Sequence, residues 1–341
     1  MKIGLVGYGK GGRYFHAPLI ASLPGAVFAG VVTRSPERRE ELSRDYPKVP
    51  AFDTLADMVA AGIDAVVIST PLASRQALIL EAIELGVPVV SDKPFAYDAA
   101  HAQALVDAAQ QRRVPLGVYQ NRRWDSDFLT VCKLINDGVL GKVTRFESRV
   151  ERYSPASVGK PSGGGMLRDL GSHLVDQALL LFGPVTRVYA ELEFATPDQP
   201  VDHGFFVSLQ HAGGVVSHLW GNCLQNAQGP RFRVNGSLGC YSVEGLDGQE
   251  DAALAGLSPK SEGERWGVEE HRRWGWFEQG EHRERVPSER GCWPEFYRLF
   301  QDAVEKGGPL PVDARDAVAS AVILDAARTS ALEGRVVGLT G

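Results

Sequence analysis

The chain has 341 residues, 44% of them hydrophobic and 23% charged, and a formal net charge of −6. This is ordinary globular composition, long enough for two domains and without the basic excess of a general nucleic-acid binder. The cysteines (Cys132, Cys223, Cys240, Cys292) are scattered with no C-x-x-C, which argues against a zinc site and against a disulfide framework, and no run approaches the ~20 apolar residues that span a bilayer.

The chain enters a strand-like run at residues 2–6, with no room for a signal peptide, so a soluble, cytoplasmic protein without a metal is expected. That run feeds into Gly7-Tyr8-Gly9-Lys10-Gly11-Gly12, and a segment of helical character follows at 13–23. A strand, a G-x-G-x-x-G turn and a helix start in this order form a dinucleotide fingerprint. Gly7 permits the tight turn, Gly9 lets the backbone approach a pyrophosphate, and Gly12 lets the helix pack closely on the strand; the helix N-terminus favours the anion.

The second strand, 27–32, ends in Thr33-Arg34-Ser35, and no Asp or Glu occurs there before Glu37. An NAD enzyme places an acidic residue at this point to bind the ribose 2′-hydroxyl. Arg34 instead offers a planar fork suited to a 2′-phosphate, with Thr33 and Arg38 beside it, so NADP is expected and NAD stays open. The alternative is a solvated Arg34, with Arg38 and Arg39 as ordinary helix-surface charges.

Further strands are read at 49–52, 64–70, 87–91 and 115–119, and helices at 36–45, 55–61, 74–85 and 98–112. Alternation of this kind, with short connections, predicts an α/β Rossmann domain with a doubly wound parallel sheet over 1–120. After Gln120 the pattern changes. Helices at 125–136 and 166–182 flank a strand at 143–153 and a Ser/Gly/Pro stretch at 154–165, expected to be mobile. Strands at 185–194, 204–210, 214–221, 232–235 and 240–244 follow without intervening helices, and helices at 293–305 and 314–332 finish the chain. Residues 121–341 therefore read as an α+β domain with an open, mostly antiparallel sheet. If helices cover one face only, the other is expected to pack on a second copy of the chain.

Three polar groupings carry candidate chemistry. Lys93, in Ser91-Asp92-Lys93-Pro94, follows the strand 87–91 at the sheet edge where ligands bind in open α/β folds; it could equally be a surface lysine. Asp169 and His173 are four apart, so a helix puts them on one face, as a carboxylate and a candidate general base or as a surface or core pair. Asn121, Arg122 and Arg123 follow the sixth strand and suit either a polyol pocket or interdomain salt bridges. Tyr153, at the end of the strand 143–153, is grouped with the substrate side.

The glycine loop, the Asp92-Lys93-Pro94 turn and Asp169-x-x-x-His173 together resemble the Gfo/Idh/MocA oxidoreductases over nearly the whole chain. The runs 119–134, 169–183 and 245–251, with Gly229-Pro230-Arg231, look like the NADP-dependent scyllo-inositol dehydrogenase branch. The resemblance implies reversible hydride transfer between the nicotinamide and a ring carbon of a cyclic polyol or sugar. On that reading His173 takes the hydroxyl proton, Asp169 orients it or bonds a neighbouring hydroxyl, and Lys93 bonds the reacting oxygen. Asn121, Arg122 and Tyr153 join Asp169 and His173 in holding substrate, and Thr70 and Pro71 join the cofactor set. Two departures stand out. Asp92 replaces the family's usual Glu, and Thr70-Pro71-Leu72-Ala73-Ser74-Arg75 lacks the Asn and His of the family's Thr-Pro-Asn-x-x-His turn. The rival readings are an NAD-linked dehydrogenase of another sugar or inositol isomer and a non-catalytic nucleotide-sensing regulator of the same fold.

Overall fold

A computed structural model describes residues 1–158, 164–196 and 201–339. The chain forms two compact units. The first comprises Met1–Asn121, Gln249–Trp266 and Cys292–Val318, and the second Arg122–Gly248, Gly267–Gly291 and Ala319–Gly341. Among the described residues no helix is long and apolar enough to cross a membrane.

The first unit is built on a six-stranded sheet of order β3-β2-β1-β4-β5-β6. Its strands are β1 Lys2–Val6, β2 Val27–Val32, β3 Ala51–Phe52, β4 Ala65–Ile68, β5 Val89–Ser91 and β6 Leu116–Val118. Every pairing is parallel. Ile3, Leu5, Val66, Val67, Val89 and Val90 are fully buried, as central strands covered on both faces require. The helices α1 Ala17–Ser22, α2 Pro36–Asp45, α3 Leu55–Ala60, α4 Leu72–Glu84 and α5 Ala99–Arg112 lie between strands in sequence. Strand order reverses at β1 and β4, so the crevice outside their carboxyl ends is the expected ligand position.

The helix expected at 13–23 is instead a π-helical turn, Gly11–His16, followed by α1. Pro18 supplies the reason: it has no N–H for the carbonyl four residues earlier, and the chain closes the turn with the longer Ala17 N–H to Gly12 O bond.

A single cut at residue 120 does not describe the units, because two later segments complete the first. Helix α9 Gln249–Leu254 opens one, which also holds the short helix α10 Pro259–Glu262. The buried Gln249 Oε1 accepts from Trp266 Nε1 (2.8 Å) and Trp293 N (2.9 Å). Helix α11 Pro294–Lys306 presents Phe296, Tyr297, Phe300 and Ala303 as a buried stripe. Beyond it, Val312 accepts a hydrogen bond from Val118 N, and Asp313 bridges Gly117, covering the open edge of β6. These apolar anchors lie far along the chain, which is why periodicity alone did not assign them.

The second unit holds a nine-stranded sheet of order β14-β13-β12-β11-β7-β10-β9-β8-β15. The strands are β7 Val143–Glu151, β8 Val185–Phe194, β9 Asp202–His211, β10 Val216–Asn222, β11 Phe232–Gly236, β12 Cys240–Val243, β13 Gly275–Gln279, β14 His282–Val286 and β15 Val337–Gly338. Only β7 and β10 run parallel; the rest is antiparallel, as expected of an open mixed sheet. Phe146, Phe205, Leu209, Leu219 and Phe232 form its core with Phe128 and Val131 of α6 Ser126–Asn136 and with Leu174 and Ala178 of α8 Gly171–Phe182. Helix α12 Ala314–Glu333 begins in the first unit, and its residues Ile323, Ala326 and Ala327 enter this core. The other sheet face carries Tyr189, Phe206, His218 and Trp220, all half-buried and stacked in series, with the Arg149 guanidinium 3.8 Å from the Trp220 ring.

The single helix expected at 166–182 is two, α7 Met166–Asp169 and α8, parted at Leu170. Ser172 Oγ donates to Asp169 O (3.0 Å), drawing that carbonyl from the helical ladder. Gly171 fits because an added Cβ would lie 3.3 Å from both Leu167 Cδ1 and Leu324 Cδ2. Strand β7 ends at Glu151, two residues short of its expected limit; Tyr153 makes only an isolated bridge to Leu224 and is 61% exposed. Of the stretch 154–165, Pro155–Ser157 form a 3-10 turn and residues 159–163 lie outside the described residues.

Candidate active site

In the first unit the glycine loop meets the ends of β4 and β5. Gly7 has φ +96°, and a Cβ there would collide with Ser69 O. A Cβ on Gly12 would collide with Gly7 O, so the turn can close only with glycine at both positions. Gly9 has nothing within 4 Å of the place its Cβ would take, leaving a cradle open to a ligand. These features fit a pyrophosphate against backbone N–H groups. Tyr8 is placed otherwise: its side chain is buried, and its hydroxyl donates to Asp45 Oδ2 (2.9 Å). Burial first, then that bond, drives its pKa well above the phenolic range. Only the Tyr8 backbone is available to the loop's ligand.

At the end of β2, Thr33 N donates to Phe52 O and Thr33 O accepts from Arg39 Nε. Arg34 is exposed and gives Nε to Asp53 O (3.2 Å), while Arg39 Nη2 binds Asp53 Oδ1 (2.7 Å). Arg38 is turned to Glu41 (2.6 Å), which it shares with Arg13. Of the two arginines expected at a 2′-phosphate, Arg34 retains the fork and Arg38 is already paired.

Lys93 sits just past β5, partly exposed, in a loop locked from below. Its backbone N donates to Asp92 Oδ1 (2.8 Å), and Ser69 Oγ donates to Asp92 Oδ2 (2.7 Å). Burial works to raise the Asp92 pKa, but His16, Arg75 and Ser69 outweigh it and hold the carboxyl well below the usual range. Arg75 is buried and clamps three carbonyls: Asp92 O (2.8 Å), Thr70 O (2.6 Å) and Pro94 O. It occupies the place of the histidine in the resembling Thr-Pro-Asn-x-x-His turn. Here that position fixes Thr70-Pro71 to the lysine loop.

In the second unit, buried His173 lies on the first turn of α8, and Asp169 ends α7. Asp202, itself buried, accepts from Leu167 N (2.7 Å) and so fastens the start of α7. One turn beyond His173, Asp176 binds Arg123 through two parallel bonds, Oδ2 to Nε (2.8 Å) and Oδ1 to Nη2 (2.6 Å). Next to it Gln177 Nε2 donates to Arg122 O (2.9 Å), and its Oε1 accepts from Arg231 Nη2 (3.0 Å). Arg231 also donates to Ser148 Oγ (2.6 Å), and its Nε lies 3.3 Å from Asp127 Oδ2. Burial raises the Asp127 pKa against the pull of Arg231 and Arg122, and lowers that of Arg231 against Asp127. Arg122 Nη1 binds Asp125 Oδ2 (3.0 Å), and Asn121 is buried. Arg123 thus braces α8 through a salt bridge within its own unit, while Arg122 pairs with Asp125 ahead of α6 and meets α8 through its carbonyl.

The expected residues therefore fall into two sets. Gly7, Gly9, Gly11, Gly12, Thr33, Arg34, Thr70, Pro71 and Lys93 gather at the carboxyl ends of the parallel strands, while Asp169, His173 and Arg122 are organised around α8. Ser69, Arg75, Asp127, Asp176, Gln177 and Arg231 were not singled out from sequence as parts of this framework. Arg75 carried a signal, as a polar residue four positions after a Thr-Pro turn at a strand end. Arg231, Asp127 and Gln177 lie in stretches that carry the family resemblance, but their contact joins residues distant in sequence and has no local signal.

A parallel unit with a glycine loop at its switch point, followed by an open-sheet α+β unit, is an architecture of dinucleotide-dependent oxidoreductases. Residues 1–120 match the oxidoreductase family with an NAD-binding Rossmann fold, and residues 128–242 match the GFO/IDH/MocA C-terminal domain. The chain belongs to the Gfo/Idh/MocA oxidoreductase family. It is 32% identical over 349 residues to scyllo-inositol 2-dehydrogenase (NADP(+)) IolW of Bacillus subtilis, covering 99% of this chain and 96% of that one. It is 31% identical over 254 residues to inositol 2-dehydrogenase of Rhizobium meliloti, covering 72% and 76%. The structure of the oxidoreductase YvaA of Bacillus subtilis superimposes with a TM-score of 0.92 at 32% identity, covering 99% and 98% of the two chains.

Proposed function

We propose that the protein interconverts a ring alcohol and ketone of a cyclic polyol or sugar, scyllo-inositol and its inosose first, with NADP(H) as redox partner. When bound, the nicotinamide supplies the two-electron acceptor and donor. Gly7, Gly9, Gly11 and Gly12 would hold its pyrophosphate, with Thr70 and Pro71 alongside. Arg34 would bind the 2′-phosphate, a charge-assisted contact of about 1.5–3 kcal/mol. His173 accepts the proton of the reacting hydroxyl, Asp169 orients the imidazole or takes a neighbouring hydroxyl, and Lys93 donates to the reacting oxygen. Asn121, Arg122 and Tyr153 complete the substrate set, with Arg122 acting from a side chain already bonded to Asp125.

The observation that carries this reading is the lysine loop: Lys93 stands at the carboxyl edge of the sheet, its backbone tied through Asp92 and Ser69 to the floor of the glycine loop. The similarity to an NADP-dependent scyllo-inositol dehydrogenase supports the substrate class. All four cysteines are thiols, which suits a reducing, cytoplasmic setting. The half-buried aromatic series on the second sheet face suits burial against another copy of the chain.

The test is the rise of reduced-nicotinamide absorbance with each inositol isomer and a set of aldoses, run with NADP and with NAD. Turnover of a cyclic polyol with NADP preferred is expected. Tight NADPH binding without turnover of any polyol would instead favour the non-catalytic regulator.

A further inference from the structure

His16 belongs to neither the expected cofactor set nor the expected catalytic set, yet it is completely buried (0% exposed) at the end of the π-helical turn. Its Nδ1 lies 2.5 Å from the Tyr297 hydroxyl, and its Nε2 lies 3.3 Å from Asp92 Oδ2. The ring stacks, tilted, at 4.4 Å from Tyr119, whose hydroxyl donates to Phe15 O (3.1 Å). Tyr119 and Tyr297 are buried as well. A polar ring in such a place costs free energy unless its nitrogens are hydrogen-bonded, and here Nδ1 is met by Tyr297 while Nε2 faces Asp92.

What those contacts hold is the carboxylate of Asp92. One oxygen accepts from the backbone N of Lys93; the other accepts from Ser69 Oγ and lies 3.3 Å from His16 Nε2, within ion-pair reach but without a hydrogen bond. The same groups fill the space beneath the glycine loop: a Cβ on Gly11 would lie 2.7 Å from Ser69 Oγ and 3.1 Å from Asp92 Oδ2. Arg75 fixes the carbonyls of Asp92 and Pro94. Ser69 alone is one bond on one oxygen. The second restraint comes from His16, which Tyr297 anchors from behind.

We propose that His16 is a positioning residue: by fixing the Asp92 carboxylate it sets the backbone from which the Lys93 side chain projects and holds that backbone in register with the glycine loop. The proposal rests on Lys93 being the group that meets the reacting oxygen.

The test compares wild type with His16→Phe, which keeps the volume and loses both polar contacts, and with His16→Gln, which keeps a donor for Asp92. Melting temperature and NADPH binding report the fold and the glycine loop. The side chain is read directly by labelling lysines with carbon-13 methyl groups and following the Lys93 signal, assigned with K93R. H16F is expected to stay folded and bind NADPH within about threefold, to shift or broaden the Lys93 signal, and to lose about 10- to 100-fold in kcat with little change in KM, as for a small misplacement of a reacting group. H16Q should recover most of that loss. A Lys93 signal in H16F identical to wild type overturns the proposal. If H16F does not fold, His16→Leu and Asp92→Asn take its place, and an unchanged Lys93 signal in both overturns the proposal equally. Should wild type turn over no polyol while the Lys93 signal still moves in the variants, the positioning role stands and the proposed function falls.

Discussion

The Lys93 loop and the α8 helix each hold in place one side chain of the proposed chemistry, by opposite means. The lysine loop is fixed mostly by main-chain partners: Arg75 binds three carbonyls, and Asp92 takes a backbone N–H. Helix α8 is fixed by side chains, through the Arg123–Asp176 pair and the Arg231–Gln177–Asp127 cluster, all buried but for the half-buried Arg123. Main-chain anchoring tolerates change in neighbouring side chains because the carbonyls stay whatever the residue. Anchoring by buried charge does not: removing one partner strands the other in a medium that cannot solvate it.

The largest effect separates chemistry from scaffold. His173→Ala should lower kcat by about 10²–10⁴-fold, the usual contribution of a general base, while NADPH affinity and melting temperature stay near wild type. Unchanged turnover would remove His173 from the mechanism. Arg231→Met tests the scaffold and should cost about 3–5 kcal/mol in urea unfolding, because Asp127 is left buried without its cation. Adding Asp127→Leu should return much of that loss, since two apolar groups need no partner. A double variant as unstable as the single would mean that the packing, and not the charge, holds α8.

The fold was legible where local rules suffice. Strand–helix alternation located all six parallel strands, and the three glycines of the fingerprint sit where turn and close packing need them. The failures have two causes, local side-chain bonds that a period does not report and partners far along the chain. A periodic run predicts one helix across 166–182, but the Ser172 hydroxyl and the packing around Gly171 divide it. The first unit recruits Trp266, Trp293 and the α11 stripe from late in the chain. At the site, Lys93, Asp169 and His173 were readable as chemistry-bearing types in suitable contexts. His16 and Arg231 were not, because a buried polar residue declares its purpose only through its partners, and Arg75 showed only as a polar residue after the Thr70-Pro71 turn. The pair Arg122–Arg123, open between pocket and salt bridge on sequence, is engaged with Asp125 and Asp176.

Smaller effects sharpen the same contrast. Arg34→Ala should weaken NADP binding about 10- to 100-fold, equivalent to a lost charge-assisted bond, and leave NAD binding unchanged. Equal losses for both cofactors would assign Arg34 to the loop's structure instead. In the second unit His211 is buried with Nδ1 2.9 Å from Gly183 O and Nε2 2.8 Å from Ser217 Oγ. Burial lowers its pKa from the ordinary 6.5, partly opposed by the Gly183 bond. The folded state therefore binds fewer protons than the unfolded chain just below pH 6.5. Stability is full above that value and falls as the pH drops toward the folded-state value. His218, lowered first by burial and then by Arg145, adds in the same direction. Urea midpoints across this range should show a shallower slope in His211→Gln than in wild type; an identical slope would place the titration elsewhere.

Under the proposed function Lys93 and His173 serve one reacting oxygen. The most direct measurement is a kinetic cycle of wild type, K93A, H173A and the double variant on the best polyol substrate. Groups acting as a unit lose their effect together, so the double variant should be about as slow as the slower single. Losses that multiply in full, or either single variant turning over at the wild-type rate, would contradict the account.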